Sequence, residues 1–201
     1  MRAEKILLIL NLLAILLFTA FGPLEKTLGA NVRVVYLHGA LVWVALVGFL
    51  TAAFSGLAGM LTRRRRLYLW SLALGRTGLV FWVVCLPVSL WAMQTSWNGL
   101  FLAEPRWRLG VGFAAAGLLL QAGLALVQKP AWASGANLVY AVILLAALMN
   151  AEQVMHPPSP ILSSDAWRIQ LFFAGLLALS LLAAWQVARW WLRLGPADTI
   201  E

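Results

Sequence analysis

The chain has 201 residues, of which 63% are hydrophobic and only 11% charged, with a mean hydropathy of +0.87 and a net charge of +8. One water-soluble core cannot hide that much apolar surface, so a soluble globular or nucleic-acid-binding domain is excluded and a polytopic membrane protein is expected. The long apolar runs lack the alternating polarity of barrel strands, which points to an all-α, single-domain chain over residues 1–201.

A spanning helix needs about 20 apolar residues, and six runs qualify. The first, Ile6 to Phe21, follows Arg2 and Lys5 and so has the outline of a secretory signal. No A-x-A-like cleavage site follows it, and a retained helix is expected. The second runs from Val34 to Leu61 and contains His38 near its start; the third, from Leu67 to Trp91, contains Arg76 and Cys85. The fourth is Trp107 to Val127, the fifth Asn137 to Gln153, and the sixth Trp167 to Leu192.

Six spans put both termini on one side, together with Arg2, Lys5, Arg63, Arg64, Arg65, Arg66, Lys129, Arg189 and Arg193. The positive-inside rule makes that side cytoplasmic. Lys26, Arg33, Arg106, Arg108 and Arg168 fall on the other side, partly offset by Glu25, Glu104 and Asp165. The run Arg63 to Arg66 sits in a tight turn with no groove-reading element, so anionic lipid, not nucleic acid, is its expected contact. Trp185, Trp190 and Trp191 beside Arg189 and Arg193 form an interfacial belt.

Cys85 is the single cysteine, which rules out a disulfide framework, a CxxC redox pair and a CxxCH site for covalent haem. A Gly-x-x-x-x-Gly-Lys loop, a Gly-x-Ser-x-Gly elbow and a carboxylate pair within one span are also missing, so phosphate-hydrolysing or acyl-transfer catalysis has no support. No 20- to 50-residue repeat signals an inverted-repeat transporter.

The two histidines, His38 and His156, are the residues with the clearest chemistry. His38 lies 25 positions before Arg63, roughly 37 Å of helix, which exceeds the roughly 30 Å hydrocarbon core. His156 lies 19 positions beyond Asn137, roughly 28 Å, and reaches the same level if Asn137 marks the inner end. Pro157 and Pro158 stop the helix there. Two imidazoles facing one outer cavity would suit the axial positions of a haem iron, whereas helix-end capping accounts equally for either one alone. Between them, the segment Trp91 to Arg108 contains Trp91, Trp97, Phe101 and Trp107. These aromatics form either an interfacial belt or a platform for a planar macrocycle, with Arg106 or Arg108 placed to meet anionic propionates.

On these residues the chain resembles the CcmC-type cytochrome c assembly family of haem-handling membrane proteins. The resemblance rests on the six-span layout, Tyr36-x-His38, the Trp-containing loop ending in Glu104-Pro105-Arg106, and His156-Pro157 before the last span, and it covers nearly the whole chain. It implies that His38 and His156 are the axial ligands, and that Trp97 and Glu104-Pro105-Arg106 match the WWD motif and its acidic-Pro-Arg end. The loop departs from the family in having Asn98-Gly99-Leu100 after Trp97 and Glu104 where an aspartate is expected.

The resemblance further implies a non-covalent b-type haem at the outer face of an inner (plasma) membrane. Its action would be binding and handover to an acceptor, without bond-making catalysis. Implied partners are haem, membrane lipid, and a haem chaperone, ABC transporter or other membrane-complex subunits. The alternative is a b-type haem electron-transfer subunit, or a cofactor-free structural subunit, of a larger membrane complex.

Three further polar residues need partners. Arg76 is expected to face the bundle interior, with Gln121 as a possible hydrogen-bond partner. Glu152, one turn before His156 on a continuous helix, is placed either to orient that imidazole or to pair with an outer arginine. Gly48, Ser55, Gly56 and Gly59, with Gly110, Gly112 and Gly117, read as sites of close helix approach.

Overall fold

The computed structural model describes residues 2–152, 155, 161 and 165–194. Among them there are six helices and no strand: α1 (Arg2–Ala20), α2 (Val32–Thr62), α3 (Arg65–Trp97), α4 (Pro105–Val127), α5 (Pro130–Met149) and α6 (Trp167–Leu194). All six are long and apolar enough to cross a membrane, as expected of an all-α polytopic chain.

The helix ends follow local chemistry. Arg63, Asn98 and Gln128 adopt left-handed backbone just past α2, α3 and α4, the conformation that closes a helix. Pro105 and Pro130 each occupy the first turn of their helix, where a missing N–H is harmless. Two boundaries differ from the hydropathy reading. The third helix continues past Trp91 to Trp97, because Ala92, Met93 and Gln94 favour helix and the stop comes only at Asn98-Gly99. The fifth helix begins at Pro130 and ends at Met149. The polar Asn137, which broke the apolar run, therefore sits inside the helix and not at its end.

The centre of the bundle is the α2–α3 hairpin, two helices joined by a turn at Arg63-Arg64. Its register can be counted outward from that turn. Gly59 and Tyr68 are each four residues from it, Gly56 and Ser71 seven, and Gly48 and Gly78 fifteen and fourteen. Each pair is in contact. A Cβ on Gly48 would lie 2.9 Å from the Gly78 Cα, and one on Gly56 2.8 Å from the Ser71 Oγ. These glycines are required by backbone proximity, the usual way helices associate where lipid offers no hydrophobic drive.

Helix α5 packs on the hairpin through a buried polar knot. The Asn137 amide donates to the Ser71 carbonyl (2.9 Å) and lies 3.2 Å from its hydroxyl, while the Gln121 amide donates to Asn137 Oδ1 (3.3 Å). Gly75 leaves the space for it, since a Cβ there would lie 2.7 Å from Asn137 Oδ1. Gln121 thus serves Asn137. The Arg76 guanidinium instead sits 5.5 Å from the ring of Trp191, near the end of α6, a cation–π contact that carries its charge toward the membrane boundary.

Charge sorts to the two ends of the bundle. Lys5, Lys129, Arg189, Arg193 and the Arg63–Arg66 turn gather at one end, where Arg193 pairs with Glu4 and ties the end of α6 to the start of α1. The opposite end holds the segments 21–31 and 98–104. There the Glu25 carboxylate accepts the N–H groups of Thr27 (2.8 Å) and Leu28 (2.9 Å), which hold it below the usual carboxylate range, Leu28 contributing most.

Candidate ligand-binding cavity

At the end opposite the basic turns, the helices part around a cavity of about 580 Å³. That is within the range of pockets that take a cofactor-sized molecule. Its floor is Leu46 and Trp82, and its walls come from α2, α3 and the first turn of α4. Leu148 of α5 and Phe173 of α6 close the far side. The lining is largely apolar, with four tryptophans: Trp43, Trp82, Trp97 and Trp107. Trp82 is buried and its ring N–H donates to the Gly110 carbonyl (2.9 Å), which pins α4 to α3 beneath the void.

His38 stands in the wall. It lies 25 residues before Arg63, and Ser89 lies 25 residues after Arg64, so the register of the hairpin brings the two face to face. The His38 Nδ1 is 3.0 Å from the Ser89 hydroxyl and 3.3 Å from the buried Cys85 sulfur. Ser89 also donates to the Cys85 carbonyl (2.9 Å), and the Cys85 thiol points at the His38 carbonyl (3.8 Å). Pro87 between them interrupts the backbone ladder of α3 at the level of the cavity.

The α4 side contributes polar groups. Glu104 caps α4, its Oε2 accepting the Trp107 N–H at 2.6 Å. The other carboxylate oxygen, Oε1, is buried at the cavity with no hydrogen-bond partner among the described residues, and so is the Ser96 hydroxyl. Burying such a group unpaired costs about 1–3 kcal/mol. Arg106 lies half-buried in the same wall.

Of the residues singled out from the sequence, His38, Trp97, Arg106 and Trp107 line this one cavity. Trp91 does not; it faces a smaller groove of about 290 Å³ beside Asn31 and Arg33. Arg108 is exposed and its Nε donates to the Leu102 carbonyl (3.4 Å). Trp97 and Phe101 meet edge to face at 77°, so they do not make one flat platform. His156 lies outside the described residues; Met155, its neighbour in sequence, lines the cavity. Glu152 is exposed and lies beyond the end of α5.

Ser89 and Cys85 escaped the sequence reading as partners of His38. The signal was present in the tight turn at Arg63-Arg64, since an antiparallel hairpin sets equal counts from the turn opposite each other. Among the described residues no group of three or more His, Cys, Asp or Glu side chains could hold a bare metal ion. Comparison of the chain with protein-family models, with curated proteins and with solved structures finds no match.

Proposed function

We propose that this protein binds haem non-covalently in the cavity between α2, α3 and α4, as a b-type group held for transfer to an acceptor. The observation that carries the reading is His38 in the wall of a tryptophan-lined, 580 Å³ cavity that also contains Arg106. These residues suit the group: an imidazole for the iron, aromatic faces for the macrocycle, and a guanidinium for a propionate. When bound, haem would supply a redox-active, strongly absorbing iron. The chain's own part is to supply an imidazole, exclude water with Trp82, Trp97 and Trp107, and offset the acidic edge with Arg106.

In this reading His156 would supply a second imidazole to the iron, an assignment supported by Met155, its neighbour in sequence, at the cavity lining. The same reading has the end with the basic turns facing the cytoplasm of a plasma membrane and the cavity facing outward, which the positive-inside rule supports. A haem chaperone, an ABC transporter or another membrane subunit would then be the partner on either side of the handover. A second reading is a subunit that keeps its haem for electron transfer: the cavity floor at Leu46 and Trp82 lies 17 residues from the Arg63-Arg64 turn or the start of α3, roughly 25 Å, just inside the roughly 30 Å hydrocarbon core.

The test is an absorption spectrum of the full chain purified in detergent from haem-replete membranes, alongside His38→Ala and His156→Ala. A Soret band in the parent protein and its loss or displacement in His38→Ala is the expected result. Absence of the band in the parent, or an unchanged band in both variants, overturns the haem reading. Loss of the band to an added apo-globin separates handover from permanent retention.

A further inference from the structure

The smaller groove of about 290 Å³ that Trp91 faces lies between α1 and the adjoining ends of α2 and α3. Helical spacing sorts its lining by depth. Arg33 and Leu37 are four residues apart on α2, and Trp91 and Thr95 four apart on α3, so each pair shares a helix face one turn apart. Arg33 and Thr95 are the members nearer the segments 21–31 and 98–104, while Leu37 and Trp91 lie deeper, and Leu16 of α1 adds to the apolar wall.

The hydroxyls leave that polarity unchanged. Thr19 donates to the Ile15 carbonyl (2.7 Å) and Thr95 to the Trp91 carbonyl (2.9 Å), each within its own helix. At the rim the Asn31 amide donates to the Thr95 carbonyl (3.2 Å). The charged donor there is Arg33, whose Nε is held by the Gly22 carbonyl (3.0 Å), which leaves the fork of its two terminal nitrogens. Among the described residues no carboxylate pairs with Arg33. Glu25, the acid of the adjoining segment, accepts from Thr27 and Leu28 instead.

The groove opens sideways. Leu16 is 58% exposed and Trp91 57%, so both of its lips face the bilayer as well as the groove. Arg33 lies 30 residues before Arg63, roughly 45 Å of helix, a length that crosses the hydrocarbon core and reaches the headgroup layer beyond it. A cation at headgroup depth thus stands above an apolar slot at acyl-chain depth.

We propose that this groove is a phospholipid site, in which the Arg33 fork binds the phosphate of an anionic lipid and one acyl chain lies against Leu16, Leu37 and Trp91. A guanidinium matches two phosphate oxygens at once, and the apolar wall below it serves a lipid chain but not a free phosphate ion. A headgroup with no cation of its own leaves its phosphate to Arg33, whereas a choline headgroup brings a competing charge. The site makes no use of His38 and stands whatever the larger cavity binds.

The experiment is native mass spectrometry of the full chain released from detergent micelles and titrated with phosphatidylglycerol, with phosphatidylcholine of the same acyl chains, and with inorganic phosphate. The parent is expected to retain phosphatidylglycerol in preference to phosphatidylcholine and to hold no inorganic phosphate. Arg33→Gln weakens the tightest phosphatidylglycerol site by about 10-fold, the lower end of what loss of a hydrogen bond to a charged group produces. Ala20→Trp, which fills the groove and spares the bond from Arg33 to Gly22, weakens it at least as much. Arg64→Gln, in the basic turn at the other end, leaves it unchanged.

Full affinity in Ala20→Trp overturns the proposal, and this variant decides the matter even where Arg33→Gln fails to fold. A loss in Arg64→Gln equal to that in Arg33→Gln also overturns it, as does equal retention of the two lipids. Inorganic phosphate held by the parent and lost in Arg33→Gln makes this a phosphate site, and a lipid-free dimer dispersed by Ala20→Trp gives the groove to a second copy of the chain; either result overturns the lipid assignment.

Discussion

The two halves of the α2–α3 hairpin are built from the same helices and do opposite things. From the basic turn to mid-helix, Gly48, Gly56, Gly75 and Gly78 let the backbones and the polar knot of Asn137, Ser71 and Gln121 approach so closely that a single Cβ has no room. At the other end the facing positions are His38, Ser89, Cys85 and Met93, and beyond them the bundle holds a void of about 580 Å³ with two orphaned acceptors in its wall. In the base, small residues let the backbones come into van der Waals contact in place of lipid, whereas at the open end Trp43, Trp82, Trp97 and Trp107 line the empty volume. One half is a tightly packed base, and the other half encloses the cavity.

That contrast predicts unequal responses to added volume. Gly48→Val should be the most damaging change, lowering stability by about 3 kcal/mol because the new side chain meets the Gly78 backbone and cannot be accommodated by rotamer change. Gly112→Val, where nothing lies within 4 Å, should stay within about 0.5 kcal/mol. Thermal unfolding of both in the same detergent would break the comparison if the two losses were equal.

A smaller loss is expected from Asn137→Ala, about 1–2 kcal/mol, as Ser71 and Gln121 lose their shared partner and a small cavity replaces it. The same unfolding measurement decides it, and a neutral result would mean that the knot adds nothing to the base. At the open end, Ser96→Leu should be the mildest, from neutral to about 1 kcal/mol stabilising, because it removes an orphaned hydroxyl and fills empty space. The same variant should retain less haem. Destabilisation on the scale of Gly48→Val would show that the cavity end is as tightly packed as the base.

The number and approximate placement of the helices were legible in the sequence because a spanning segment must be apolar on nearly every face and about 20 residues long. Errors arose where polarity and helix did not coincide. The hydropathy reading puts Asn137 at the inner end of the fifth run, yet it lies within α5, where its amide is satisfied by Ser71 across the interface. Trp91 to Trp97 looked like an aromatic loop, yet it is the last two turns of α3, so Trp91 and Trp97 point to different grooves. Of the candidate site, His38, Trp97, Arg106 and Trp107 were identifiable by residue type and by falling at the same end of the chain's spans.

By itself, then, the sequence determined the solvent, the six-helix architecture and the sorting of charge to two ends, since each depends on transfer energies that add residue by residue along the chain. Which side chains meet depended on the tertiary structure. A difference of one residue in the register of the α2–α3 hairpin would turn Ser89 away from His38, because helical neighbours differ by about 100° in direction. The Gly48–Gly78 contact lies in that register, which also gives His38, the histidine that the cavity displays among the described residues, its partner Ser89.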